Sequence, residues 1–150
     1  MPPYRFRLAT LLRLREGDRD QRRAQLAEAY QAEDKLRQQI VEIDRQLADL
    51  RHDYSAQAAP GTVLVDRLVS TQRYELVLMS QKQTQQKQAQ LLAAEVERRR
   101  LLLVEADREV RVLEKLRERQ QERHRADEAR QETKLLDEVA LRKPFGAEWS

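Results

Sequence analysis

Two long stretches of this chain, about residues 8–54 and 63–143, contain a single glycine, Gly17, and no proline. An interior glycine costs a helix about 1 kcal/mol relative to alanine and an interior proline about 3, so stretches this free of both can stay helical throughout. Between them stands Ser55-Ala-Gln-Ala-Ala-Pro60-Gly61, which combines turn and breaker residues, and Pro144 and Gly146 follow the second stretch. The sequence predicts a single all-α unit: helix 1 at about 8–54, a turn at about 55–62, helix 2 at about 63–143 and a tail at 144–150.

The apolar residues show what these helices bury. Leu26, Ala29, Glu33, Leu36, Ile40, Ile43, Leu47, Leu50 and Tyr54 are spaced alternately by three and four, as the seam of a coiled coil requires. In the second stretch one phase picks out Leu64, Leu68, Thr71, Glu75, Leu78, Lys82, Gln85, Ala89, Leu92, Val96, Arg99, Leu103, Ala106, Val110 and Leu113, a weaker seam with polar gaps. Aromatic residues are only 5% of the chain and charged residues 37%, so a narrow seam can be buried but a broad core cannot.

A short connection makes neighbouring helices antiparallel. Pairing Tyr54 with Leu64 across the turn gives a register in which facing residue numbers sum to about 118. Leu50 then falls on Leu68, Ile40 on Leu78 and Leu26 on Leu92, while Glu33 faces Gln85 near Lys82, a polar level expected to fix register. At 1.5 Å per residue the helices are roughly 70 and 120 Å long, so the second overhangs. In this register Leu8 reaches Val110, and residues 111–143 have no partner helix. The expected fold is a long antiparallel two-helix coiled-coil hairpin with a C-terminal helical overhang.

Several kinds of chemistry find no support in the residues. Gly17, Gly61 and Gly146 are too far apart for a phosphate-cradling loop. The chain has no cysteine, and His52 and His124 lack convergent ligands, so no catalytic, cofactor-binding or metal-binding residue is expected. Both histidines read as solvated. The N-terminus has no apolar signal core, and no stretch approaches the length of a membrane span.

Charge is unevenly distributed. Residues 1–25 carry seven arginines against three acids, and residues 98–125 carry ten basic residues against six acids, each +4 within a chain of net +3. In an antiparallel hairpin these stretches meet at the open end. Arginines there alternate with acids and lack stacking aromatics, which argues against nucleic acid. Arg15, Arg19, Arg22 and Arg99 fall on the seam, where unpaired guanidinium groups are too costly to bury. Either the seam opens, an acidic partner lies against it, or the register is off by one turn; Arg111 and Arg117 extend the same basic surface. The open end is therefore expected to be loosely zipped until a partner binds.

The opening Tyr4-Arg-Phe-Arg-Leu-Ala-Thr-Leu-Leu-Arg-Leu-Arg-Glu16, then Leu26-Ala-Glu-Ala29, Leu113-Glu-Lys-Leu-Arg-Glu-Arg119 and Leu136-Asp-Glu-Val-Ala140, in this order and spacing, resemble the flagellar FliJ family. The resemblance implies a cytoplasmic, non-enzymatic component of the flagellar type III export apparatus, similar in shape to the central stalk of rotary ATPases and peripheral at the inner face of the membrane at the flagellar base. The implied partners are the export ATPase hexamer, whose pore takes the paired terminal helices, the export gate membrane protein at the hairpin tip, and export chaperones that the family escorts. By this resemblance the gate-binding face carries Tyr74 and Leu78 and continues through Gln81 and Gln85, with Tyr74 and Leu78 expected to contribute little to folding.

Two other readings are weighed beside this one. An injectisome-type secretion stalk shares the length and shape. A peripheral membrane module would use Phe6, Leu8, Leu11, Leu12 and Leu14 as an apolar face, with arginines against anionic lipid.

Overall fold

A computed structural model describes residues 2–57 and 65–147, with Gln57 and residues 143–147 described by their backbone alone. Two helices account for nearly all of it: α1 at Ala9–Gln57 and α2 at Val65–Ala147. No strand is present among the described residues. Helix α1 runs past Tyr54 because Ser55, Ala56 and Gln57 precede the breakers, and alanine and glutamine are good helix formers. The rest of the expected turn lies outside the described residues. Helix α2 continues four residues beyond the expected stop at Lys143. A proline removes one helical hydrogen bond and crowds the preceding turn, and so close to a terminus a single turn of helix tolerates it.

The chain divides into two compact units, Gln21–Leu103 and Met1–Asp20 with Val104–Ser150. In the first, Leu26 and Ala29 of α1 pack with Val96 of α2, flanked by Leu103. Further along, Ile43 and Leu47 pack with Leu78, flanked by Leu50. Residue numbers rise on one helix as they fall on the other, which makes the pairing antiparallel. In the second unit the buried residues are Leu12 of α1 with Ala106 and Val110 of α2, and Val110 is 0% exposed.

The heptad phase agrees with the sequence on both helices. Every described seam position from Leu26 to Leu50, and from Leu68 to Leu113, is buried or half-buried. The register between the helices does not agree. Leu78 meets Ile43 and Leu47 where Ile40 was expected, and Leu26 meets Val96 where Leu92 was expected. The difference is about one helical turn, and α1 itself runs three residues past Tyr54.

That shift dissolves the expected polar level. Glu33 pairs with Arg37 on its own helix at 3.4 Å. The Lys82 ammonium instead reaches Asp44 at 2.6 Å, and Gln85 is half-buried with its side-chain oxygen unpartnered among the described residues. Arg51 and Glu75, 3.5 Å apart, add a second ion pair between the helices. These exposed pairs are worth about 0–1 kcal/mol each, so they select a register more than they stabilise it.

Gly17 sits inside α1 with nothing within 4 Å of where a Cβ would stand. Gly17→Ala should therefore raise stability by about 0.5–1 kcal/mol through the lost freedom of the unfolded chain. A rise in the melting midpoint by circular dichroism would bear this out, and a fall would mean that position 17 needs glycine for a contact made elsewhere.

Candidate functional site

Helix α2 just after the connection carries the run Leu76-Val-Leu-Met79. The seam positions here are Glu75, Leu78 and Lys82, so of the run's four residues only Leu78 falls on the seam, at 2% exposure. Its side chain belongs to the packing with Ile43 and Leu47, which corrects the expectation that it contributes little to folding. Tyr74 is 49% exposed, and Val77 and Gln81 are also exposed. Spaced i, i+3 and i+7, these three form one accessible stripe beside the seam. On the other side of Leu78, Leu76 and Met79 are exposed at 66% and 48% and border a groove that also includes Leu47, Arg51 and Lys82. Leu76, Val77 and Met79 were missed by the sequence reading, although an unbroken apolar run on a coiled-coil helix is itself the signal for them.

The seam arginines are accommodated within the chain. Arg99 donates through Nε to Glu95 at 2.8 Å and through Nη1 to the Gln25 carbonyl of α1 at 2.6 Å. Glu95 also accepts from Arg98, and with two guanidinium groups on it its carboxyl is lowered to about 2. Arg19 pairs with Asp20, and Arg22 is likewise engaged. Arg15 reaches Glu109 of α2 at 3.1 Å, and Arg111 pairs with Asp107 at 2.9 Å. A long side chain can leave the seam laterally and find an acid or carbonyl on its rim, so these positions need neither an open seam nor an outside acid.

In the unit built from Met1–Asp20 and Val104–Ser150, the residues before α1 also pack. Tyr4 and Phe6 are half-buried while Arg5 and Arg7 are exposed, the alternation of an extended segment. The Tyr4 hydroxyl donates to the Arg117 carbonyl at 3.2 Å. Its ring lies 5.8 Å from that of His124, tilted by 48°. His124 Nε2 is 3.1 Å from Glu128 Oε1, so this histidine is packed and not simply solvated, whereas His52 is exposed. These contacts carry the packed part of α2 past residue 111 as far as His124. The partnerless part of α2 therefore begins later than the expected residue 111. From residue 128 to residue 142 every position is exposed, Leu135, Leu136 and Val139 among them.

Leu12, central to the apolar face that a membrane module would use, is buried, and Phe6 and Leu11 are half-buried. The fold itself takes up part of that face and leaves Leu8 and Leu14 exposed. No helix among the described residues is long and apolar enough to cross a membrane, and none of their side chains form a group that could hold a metal ion.

The family model for the flagellar FliJ protein matches residues 4–148, nearly the whole chain. The chain belongs to the FliJ family. No curated protein and no solved structure matches it. Membership of the FliJ family gives the chain a role in flagellar protein export and associates it with the export apparatus, which favours the flagellar reading over the injectisome one.

Proposed function

We propose that this FliJ-family chain is a non-enzymatic central stalk of the flagellar export ATPase, cytoplasmic and held at the inner face of the membrane through its partners. It couples the ATPase hexamer to the export gate and escorts export chaperones. The observation that carries this reading is the exposed stretch of α2 at residues 128–142, which displays Leu135, Leu136 and Val139 with no covering helix among the described residues. A solitary helix of that length is marginal in water, so a surrounding protein surface would stabilise it. A ring of subunits with an acidic lining would also attract the exposed sides of Arg15, Arg111 and Arg117, with Arg19, Arg22 and Arg99 contributing to the basic surface.

Gate binding is assigned to the accessible stripe of Tyr74, Val77 and Gln81. Leu78 supports it from the seam and Gln85 is the half-buried residue that follows. Aromatic residues exposed on a narrow helical hairpin are worth more to a partner than to the fold.

Mixing the full-length chain with the export ATPase of its own organism should increase hexamer assembly and ATP turnover. The effect should weaken between low salt and 0.15 M, where exposed charges are screened beyond about 8 Å. Tyr74→Ala should reduce capture of the gate's cytoplasmic domain about tenfold while leaving ATPase stimulation intact. If the chain changes neither assembly nor turnover, the stalk assignment is wrong. If Tyr74→Ala impairs both partners equally, the division of labour is wrong.

A further inference from the structure

In a chain that is 37% charged, residues 76–94 of α2 hold only two charges, Lys82 and Lys87, and no acid. Depletion of charge at this scale is the mark of the centre of an interface. The depleted stretch borders an open, mainly apolar groove between the helices, floored by Leu36 and Leu92 and walled by Ala32 and Leu91. Leu91 is 73% exposed, far more than a seam needs, and it stands at the lip of the groove.

The charges around this groove favour one kind of occupant. Lys35 lines it from α1. On the register fixed by the two apolar clusters, Lys35 stands opposite Gln88, one residue from Lys87. Both lysines are exposed, and neither has an ion-pair partner among the described residues. Lys82, by contrast, is taken by Asp44. The acid that lines the groove, Glu95, is held by Arg98 and Arg99 and offers little attraction to an incoming cation. A mainly apolar channel, about two helical turns long on each wall, thus has one unpaired cation, Lys35, on its α1 wall and a second, Lys87, next in sequence to Gln88 of its α2 wall.

We propose that this groove is a docking site for an amphipathic helix of a partner protein, one with a leucine stripe flanked on both sides by Asp or Glu. The leucines lie between Leu36, Leu91 and Leu92, and the acids meet Lys35 on one side and Lys87 on the other. A helix laid into such a groove converts the pair locally into a three-helix bundle, and charges at its edges set orientation and partner choice. The site is separate from the Tyr74 stripe and from residues 128–142, so it does not depend on the stalk reading.

The test uses the full-length chain and two labelled synthetic helical peptides with the same leucine heptads, one with glutamate at the flanking positions and the other with lysine, followed by fluorescence anisotropy. The glutamate-flanked peptide should bind at least about tenfold more tightly than the lysine-flanked one. Leu91→Gln, an exposed change that keeps helix propensity, should weaken it about tenfold with the circular dichroism spectrum unchanged. The double variant Lys35→Glu with Lys87→Glu should reverse the preference between the peptides. Equal binding of both peptides, no binding of either, or binding indifferent to Leu91→Gln would overturn the proposal. So would a dimer in light scattering that Leu91→Gln dissolves, because the occupant would then be a second copy of this chain.

Discussion

Leu78→Ala is expected to lower the unfolding free energy by about 2–4 kcal/mol, the usual cost of deleting a buried leucine side chain. The reason is local and specific. Among the described residues Leu78 is the only buried one that α2 contributes to the packing around Ile43 and Leu47, and the residues one and two turns further along α2, Lys82 and Gln85, supply no apolar side chain to replace it. A two-helix seam opens to water on both sides, so the gap can be flooded, which places the loss towards the lower end of that range. Tyr74→Ala, at an exposed position one turn away, should change stability by no more than about 0.5 kcal/mol. Thermal and denaturant unfolding of the two variants, followed by far-ultraviolet circular dichroism, separates the roles that sequence resemblance had joined. Equal stability of Leu78→Ala and the parent chain would show that Leu78 is not a seam residue in solution.

Gln85→Leu should act in the opposite direction, raising stability by about 1–2 kcal/mol. The Gln85 side-chain oxygen is buried without a hydrogen-bond partner among the described residues, and leaving such a group unsatisfied typically costs about 1–3 kcal/mol. Leucine removes that cost and adds apolar area to a part of the seam that lies between the Leu78 and Val96 clusters and has no buried residue of its own on α2. A lone polar seam residue also restricts which registers and partners are tolerated, so the more stable variant should self-associate more readily. Both effects can be read from one sample set, by melting midpoint and by light scattering. A lower melting midpoint would mean that the glutamine amide is satisfied in solution and belongs where it is.

The helical character, the turn region and the seam phase were all legible in the sequence because each is set by residues near one another in the chain. Breakers absent from 63–143 permit α2, and the three-and-four spacing from Leu26 to Leu50 states which face of α1 is buried. The inference that Leu76, Val77 and Met79 stay exposed was equally available, since it needs only the helical period and the identity of the seam residue.

Tertiary structure alone decided the matching of one helix to the other. Register is a relation between the two helices, and the pairs seen stand about a turn from those expected, with Lys82 at Asp44 and away from Glu33. A shift along two regular helices leaves each one's own pattern unchanged, so local sequence cannot report it. The fate of the seam arginines was hidden for a related reason. Arg99 is satisfied partly by a backbone carbonyl, that of Gln25, and every residue carries such a group, so no residue type marks the acceptor in advance. The arm before Ala9 was read as part of a loosely zipped open end, yet Tyr4 meets Arg117 and His124 of α2. Composition and periodicity thus determined what each helix is and which side it buries. The lengths of the elements, their termini and the reach of individual side chains across the seam determined which residues meet, and with them which surfaces are left for partners.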